Sequence, residues 1–178
     1  MMIHSQKAEE EAVLNLAYAV CAAARTAPKA CGIDHMDTAV LTGENKDQVA
    51  EEMRRLGKSF GENGSFFVRD AGNVDESDAI VLVGVKYQPR DLNERCGLCG
   101  FHNCVACVAA RAVCVFTPLD LGIALGSAVA LAADSRIDNR IMFTIGKAAA
   151  SLGLLKEYTL IMGISLSVSG KSPFFDRN

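Results

Sequence analysis

Five of the seven cysteines in this 178-residue chain lie within nineteen residues, and no other feature of the sequence constrains the fold so strongly. The five are Cys96, Cys99, Cys104, Cys107 and Cys114. The cytosol keeps thiols reduced, so such clustering in an intracellular chain predicts a metal or cofactor site rather than a disulfide framework. The other two, Cys21 and Cys31, stand in Ala-rich sequence, and we expect them to pack as small hydrophobic side chains.

Two segments bear on where the chain resides. The consecutive glutamates 9–11 stand where a secretory signal would need a basic region followed by an apolar one. The longest nearly uncharged run, 113–133, is interrupted by Pro118 and Asp120. This leaves thirteen apolar or small residues, 121–133, which are too few to span a bilayer. We therefore expect a cytoplasmic protein with no membrane partner.

Size and charge limit the class of protein further. With 18.9 kDa and 50% hydrophobic residues the chain can bury a sizeable core, and we expect a single domain over residues 1–178. Lys and Arg total 18 against 21 for Asp and Glu, which gives a net charge of −3. Because no basic excess is present to neutralise phosphates, the composition argues against nucleic acid as a partner.

Hydrophobic periodicity predicts helices packed on a small sheet of about three to five strands, of α/β or α+β class. The predicted order is a helix over 7–27, a strand over 37–42, a helix over 44–60, a strand over 77–86, a loop over 87–103, helices over 120–134 and 140–155, and a strand over 158–168. The segment 65–68 is ambiguous. The first helix is predicted from an apolar face of Val13, Leu16, Ala17, Val20 and Ala24.

Three of these elements carry more specific expectations. The continuous β-branched run within 77–86 predicts a strand in the middle of the sheet. The helix over 120–134 is apolar around its whole circumference, which predicts burial on nearly all sides with Asp120 as its N-cap. In the helix over 140–155, Gly146 should allow close approach of a neighbour. The segment Asp138-Asn-Arg140 is expected to cap that helix through Asp138 or Asn139 rather than to act in catalysis.

The cysteine spacing is typical of an iron–sulfur cluster. A [4Fe–4S] cube needs four thiolates around one small body, and the step from Cys96 to Cys99 lets two sulfurs point the same way. Gly97 and Gly100 permit unusual backbone angles and can turn N–H groups towards sulfur. Cys104 supplies the third corner. The cysteine-rich loop as a whole spans 87–118, where Leu98, Phe101 and the helix over 120–134 would provide partly dry surroundings.

The fourth ligand and the metal are both open on spacing alone. Cys107 is placed as in many ferredoxins, but if a helix starts near Cys104 it could be an ordinary buried thiol; we favour Cys114. Structural zinc is an alternative, although its two Cys-x2-Cys pairs usually lie further apart than these. A third possibility is that no metal is bound. We expect His102 to be a solvated loop residue rather than a ligand.

Several segments together resemble a known family. They are the run Cys-Gly-x-Cys-Gly-Phe-x-x-Cys from Cys96, then Cys114, Asp120-Leu-Gly-Ile-Ala-Leu-Gly-Ser-Ala-Val129, Asp138-Asn-Arg-Ile-Met-Phe-Thr-Ile-Gly-Lys147 and Gly170-Lys-Ser-Pro-Phe-Phe-Asp-Arg177. This pattern, which covers most of the chain, resembles the bacterial and archaeal proteins described as containing a ferredoxin domain, the DUF2148 family. The resemblance implies an iron–sulfur cluster but no particular reaction.

A second resemblance is to the flavin-dependent nitroreductase fold. There an Ala-rich helix ends in a Pro-containing turn before the first strand, much as 22–31 precedes the strand over 37–42 here. The later helices, the last strand and a terminal basic residue follow in similar order. The Arg-rich N-terminal segment that holds flavin phosphate in that family is absent, and 32–36 replaces the sequence that follows its Pro turn. The resemblance implies an α+β domain with a nitroreductase-like sheet flanked by helices, an inserted cysteine-rich loop, and a homodimer.

If FMN is bound, its phosphate has its best candidate site near the C-terminus. The turn 169–172 contains a glycine and exposes N–H groups, and Lys171 and Arg177 add positive charge. The alternative is a solvated turn with a surface salt bridge. Arg25, in the first helix, has the same two interpretations.

The leading hypothesis is a small redox protein that passes single electrons from a [4Fe–4S] cluster to a flavin, a substrate or an unidentified redox partner. One alternative is a binding or regulatory module in which zinc or a labile cluster holds the loop without turnover. Another is an FMN reductase whose cysteine loop is incidental. The sequence contains no Ser/His/Asp constellation, Walker loop or dinucleotide-binding glycine motif, so it names no substrate.

Overall fold

The chain folds into helices packed on both faces of one four-stranded sheet, and this computed structural model describes residues 1–175. The helices are α1 (Ser5–Thr26), α2 (Gly43–Ser59), α3 (Ser65–Asp75), α4 (Cys104–Ala109), α5 (Phe116–Asp134) and α6 (Phe143–Ser151). The strands are β1 (Met36–Leu41), β2 (Ala79–Val85), β3 (Asp138–Met142) and β4 (Leu160–Ser167). Short 3₁₀ turns cover Ala30–Gly32, Gly61–Gly64 and Asn93–Arg95. The predicted α+β class is confirmed.

β2 is an inner strand of the sheet. The strand order is β1-β2-β4-β3, and every neighbouring pair is antiparallel. Val81 of β2 lies between Val40 of β1 and Ile164 of β4. All of β2 is buried because helices cover both of its faces. The mid-sheet position predicted for 77–86 is therefore confirmed.

Two apolar cores lie on opposite faces of the sheet, since successive residues of a strand point to opposite sides. Val81 and Val83 belong to a core built with α1 and α5. Ile80 and Leu82 belong to a second core built with α2, α3 and α6. The layers are therefore helix, sheet and helix.

α1 packs against the first core through the face that the sequence predicted. Its buried residues are the five predicted ones, Val13, Leu16, Ala17, Val20 and Ala24. Apolar residues spaced three and four positions apart are sufficient to predict this buried face, because one side of the helix meets the sheet and the other meets solvent.

α5 differs from its prediction in two ways. It begins at Phe116, so Asp120 lies in its second turn and is not the N-cap. The carboxylate of Asp120 instead makes contacts outside the helix, which are described with the site. Only one face is buried, whereas Leu119, Gly122 and Ile123 are exposed, so the expected burial on nearly all sides is wrong.

α5 also meets the length and composition of a membrane-spanning helix. It has 19 residues and a mean hydropathy of 1.6, whereas the sequence argument counted only the residues after Asp120. In this fold 39% of its most apolar stretch is buried, and α5 packs chiefly on α1 and the sheet. Core helices of soluble proteins pass the same test, so the profile by itself does not assign α5 to a membrane.

The second core contains a helix that the sequence left undecided. α3 buries Phe67, Ala71 and Val74 against α2 and the sheet, where Phe67 also contacts the ring of Phe143 with centroids 6.0 Å apart. The segment 65–68 alone is too short for periodicity to distinguish a helix from a strand.

The predicted helix over 140–155 is divided between a strand and a helix. Residues 138–142 form β3, which pairs antiparallel with β4, and α6 follows directly. Asp138 and Asn139 therefore do not cap the helix, because Met142 occupies that position. Pairing along β4 outweighs the local helical pattern at Arg140.

The close approach expected at Gly146 is confirmed. α6 lies directly on β4, and a Cβ atom at Gly146 would stand 1.8 Å from the carbonyl oxygen of Ile161. No side chain fits there unless α6 moves away from the sheet.

We expect Gly146→Ala to lower the free energy of unfolding by about 1–3 kcal/mol or more, because the added methyl overpacks the contact between α6 and β4. Gly72→Ala is the matched control, since Gly72 also lies in a helix but a Cβ there meets nothing within 4 Å. The control should stabilise α3 by about 0.5–1 kcal/mol. Urea unfolding monitored by circular dichroism measures both, and equal stability of the two variants would contradict this packing.

Candidate functional site

All five clustered cysteines line one cavity, in the segment 86–115 between β2 and α5. The cavity is narrow, with about 10 Å³ of free space, close to the room that one water molecule needs. Its remaining wall includes Pro89, Arg90, Phe101 and Phe116. Cysteines separated by as many as eighteen positions in sequence are thus brought to one place.

The first two cysteines are held by a glycine turn. Gly97 and Gly100 have φ angles of 64° and 81°, in the left-handed region that glycine tolerates best. The N–H of Gly100 donates to the carbonyl of Gly97 at 3.1 Å, which closes the turn around Cys99. The unusual backbone angles predicted for both glycines are confirmed.

Cys104 is the first residue of α4, whose start is fixed by a side-chain cap. Asn103 Oδ1 accepts a hydrogen bond from the N–H of Ala106 at 2.9 Å. The backbone N–H of Asn93 donates to Cys104 Sγ at 3.4 Å. A backbone donor to sulfur was expected from the loop, but it comes from Asn93 rather than from Gly97 or Gly100.

Cys107 and Cys114 differ in their surroundings. Cys107 lies one turn into α4, is 2% exposed, and its thiol donates to the carbonyl of Ala112 at 3.6 Å. Burial, followed by a hydrogen bond and charge interaction with Cys99, raises the pKa of the Cys107 thiol. Cys114 is half-buried just before α5, and its carbonyl accepts from the N–H of Thr117 at 3.0 Å.

The thiols do not close around a single ion. Within residues 1–175, no three Cys, His, Asp or Glu side chains gather at a position that could hold one metal ion. Zinc would draw its sulfurs to about 2.3 Å from one centre. A cubane takes each thiolate at a different iron, so its ligand sulfurs lie further apart. Five cysteine thiols brought to one cavity are the donor set that an iron–sulfur cluster requires.

A buried ion pair adjoins the cavity through Arg90, which is one of its lining residues, and sequence reasoning missed this pair. Arg90 Nη2 donates to Asp120 Oδ2 at 2.6 Å, and the two side chains are only 3% and 4% exposed. Arg90 Nη1 also donates to the carbonyl of Gln88 at 2.8 Å, and Asp120 Oδ1 accepts from the N–H of Ala30 at 3.0 Å. The only signal was Asp120 itself, a charged residue in an otherwise apolar helix.

The positive charge of Arg90 also affects the pKa of His35. Burial is the main cause that lowers the pKa of His35, and the positive charge of Arg90 is the second. Asp34 and Asp120 oppose this shift, and Lys86 adds to it. The field of Arg90 is therefore not confined to its ion pair.

The predictions for the remaining cysteines and for the other loop residues are confirmed only in part. Cys21 packs partly buried against the first core, as expected, and burial raises the pKa of its thiol. Cys31 is exposed, with φ at 58°, so its expected packing is wrong. Leu98 is 66% exposed and does not dry the cavity, whereas Phe101 lines it. His102 is exposed and is not among the lining residues.

The candidate phosphate residues lie elsewhere. Lys171 is exposed in the turn after β4, where its carbonyl accepts a hydrogen bond from the hydroxyl of Ser169, and it does not line the cysteine cavity. Arg177 lies outside the described residues. Arg25 forms an ion pair with Asp34 at 2.5 Å and donates to the carbonyl of Met36 at 2.9 Å. The charge of Arg25 is therefore already engaged.

The fold is similar to that of solved nitroreductases. A nitroreductase with bound FMN from Bacteroides fragilis aligns with a TM-score of 0.58 at 11% identity, over 96% of this chain and 80% of that one. A nitroreductase with bound FMN from Desulfitobacterium hafniense aligns with a TM-score of 0.55 at 20% identity, over 96% of this chain and 81% of that one. At such identities the likeness shows the fold, which is the nitroreductase-like sheet flanked by helices that the sequence predicted.

Sequence comparison gives the family. An uncharacterised protein of Archaeoglobus fulgidus is 37% identical over 99% of this chain and 98% of its own length. The profile of DUF2148, described as uncharacterised proteins containing a ferredoxin domain, matches residues 110–177. That match includes Cys114 but not the stretch from Cys96 to Cys107. Taken with the relative that matches along its whole length, it shows that the chain belongs to the DUF2148 family of ferredoxin-domain proteins.

Proposed function

We propose that this protein binds one [4Fe–4S] cluster through Cys96, Cys99, Cys104 and Cys114 and uses it to carry single electrons. The observation that carries the proposal is the convergence of five thiols on one narrow cavity. When bound, the cluster supplies a one-electron couple, filled by a low-potential donor and emptied by an acceptor such as a flavin.

The chain's own part is to hold the thiolates and shape their surroundings. The left-handed turns at Gly97 and Gly100 set the direction of the loop at Cys99, and Asn93 directs a backbone N–H at Cys104. Such N–H donors stabilise charge on sulfur and so raise the reduction potential. Phe101 and Phe116 line the cavity and limit the access of water.

Cys114 is the better fourth ligand on the contacts that the two candidates make. Cys107 is buried in α4 with its thiol donating to the carbonyl of Ala112, as an ordinary structural thiol does. Cys114 is half-buried just before the first residue of α5, and its sulfur makes no side-chain hydrogen bond within residues 1–175.

Serine substitutions distinguish the cysteines that bind the cluster from a cysteine that only lies near it. Because each ligand thiolate fixes one iron, Cys99→Ser, Cys104→Ser and Cys114→Ser should each lose most of the absorbance near 400 nm that dithionite bleaches. Cys107→Ser should keep it and serves as the matched control in the same cavity. Each protein is prepared without air, and its iron and spectrum are measured. Loss in Cys107→Ser with retention in Cys114→Ser would reverse the assignment of the fourth ligand.

Electron exchange at this site calls for access by a partner. Leu98, Val105 and Val108 lie around the cysteine segment with exposures of 66%, 73% and 56%. Where exposed apolar side chains form a contiguous patch, the patch can serve as a protein interaction surface. This rim suits a transient docking of a redox protein, which brings its own carrier close to the cavity.

We also propose that the protein is a homodimer that packs through the exposed face of α5. Leu119 and Ile123 are 50% and 40% exposed on this face, and Gly122 and Gly126 beside them are exposed as well. The glycines leave the backbone accessible, so an identical helix can approach closely, and a face without charge is complementary to itself. A second copy would also cover the apolar surface that the fold leaves open.

Placing a charge on this face should separate the protomers. Ile123→Glu buries an unpaired carboxylate at the proposed contact, so the mass in solution should fall from twice the chain mass to once. Val68→Glu is the control, since Val68 is 43% exposed on α3, in the opposite helical layer. Light scattering coupled to gel filtration measures both. A monomeric wild type, or a dimer that survives Ile123→Glu, would contradict this interface.

FMN is a second candidate cofactor, favoured by the nitroreductases with bound FMN that share the fold. Within the turn after β4, Ser172 Oγ is buried and has no hydrogen-bond partner among residues 1–175, so it is free to bind a ligand. Lys171 and Arg177 would hold the phosphate.

A flavin released on denaturation, in lower yield from Lys171→Ala than from wild type, would support this site. If flavin is bound but quinone reduction is unchanged by Cys99→Ser, the cysteine loop is incidental to an FMN reductase. A colourless protein with stoichiometric zinc would instead support the non-catalytic binding or regulatory module.

A further inference from the structure

Arg90 lies at the cysteine cavity but is not one of the proposed cluster ligands. Arg90 is one of the residues that line this cavity, and its side chain is almost fully buried. Two of its three nitrogens are bonded, Nη1 to the carbonyl of Gln88 and Nη2 to Asp120. Arg90 Nε is buried and has no hydrogen-bond partner among the described residues.

An unpartnered buried N–H of a charged group is costly, and each such group in a native structure calls for an explanation, such as a bound water, a bound ion or a redox role. Arg90 lines the same cavity as the five thiols. Thiolates, and the sulfides of a cluster, are negatively charged acceptors for such a donor. The geometry points to Arg90 as a positioning residue that sets the reduction potential of the centre held there, with Asp120 opposing it. This inference rests on the proposed function.

The sign of the effect follows from charge. Reduction adds one negative charge to the cluster, so a nearby cation stabilises the reduced form and raises the potential, whereas a nearby anion lowers it. Arg90 and Asp120 are 2.6 Å apart and both buried, where screening by solvent is weak. Removing Asp120 therefore leaves the charge of Arg90 unopposed at the cavity, and removing Arg90 leaves the charge of Asp120 unopposed next to the position of Arg90.

The test measures the midpoint potential of anaerobically prepared protein by spectroelectrochemistry. Arg90→Gln leaves Asp120 unopposed, so the potential should fall by the equivalent of a tenfold change in the ratio of reduced to oxidised cluster, about 59 mV for one electron. Asp120→Asn leaves Arg90 unopposed, so the potential should rise by a similar amount. Arg90→Lys keeps the charge and should restore a potential close to that of wild type.

Opposite shifts distinguish this role from a structural one, because loss of packing alone would weaken both variants without moving their potentials in opposite directions. The double variant Arg90→Gln/Asp120→Asn removes both charges and keeps two hydrogen-bonding amides. If either single variant fails to fold, the double variant and the remaining single variant must still differ in potential in the expected direction.

Three outcomes overturn the inference. Unchanged potentials in cluster-containing variants refute it and leave the proposed function intact. Shifts of the same sign in both single variants also refute it, since they indicate a general disturbance. A wild-type protein that contains no iron and no sulfide refutes the proposed function and this inference together.

Discussion

The buried ion pair between Arg90 and Asp120 is the interaction on which the rest of this architecture depends. It joins the segment that leaves β2 to α5, and through the N–H of Ala30 it reaches the connection between α1 and β1. Desolvation of two charges is costly, and only good geometry with further hydrogen bonds offsets it. Here Gln88 and Ala30 provide those bonds. The pair thus fixes where the cysteine segment begins relative to α5.

The site follows from this anchoring. Between the two fixed ends, the chain must return on itself, and the left-handed turns at Gly97 and Gly100 allow it to do so in few residues. α4 then places Cys104 and Cys107 one turn apart. The result is a thiol-lined cavity at the edge of a nitroreductase-like fold. The segment that forms it contributes little to the two main apolar cores.

Sequence predicted the fold well where one pattern decides an element, and less well where distant contacts decide it. The apolar face of α1 and the β-branched run of β2 were sufficient. Asp120 resembled a helix cap, yet its partner lies thirty residues away, and no local signal points to that pairing. Cysteine spacing predicted that these residues lie together, and all five line one cavity. Arg90 was missed because an arginine in a loop of turn-forming residues resembles a solvated side chain.

Whether these thiols hold an iron–sulfur cluster is decided by the iron and acid-labile sulfide content of the full chain, purified without air. We expect about four iron atoms and about four sulfides per chain, as one [4Fe–4S] cluster requires. Stoichiometric zinc, or protein free of both iron and sulfide under these conditions, would contradict it.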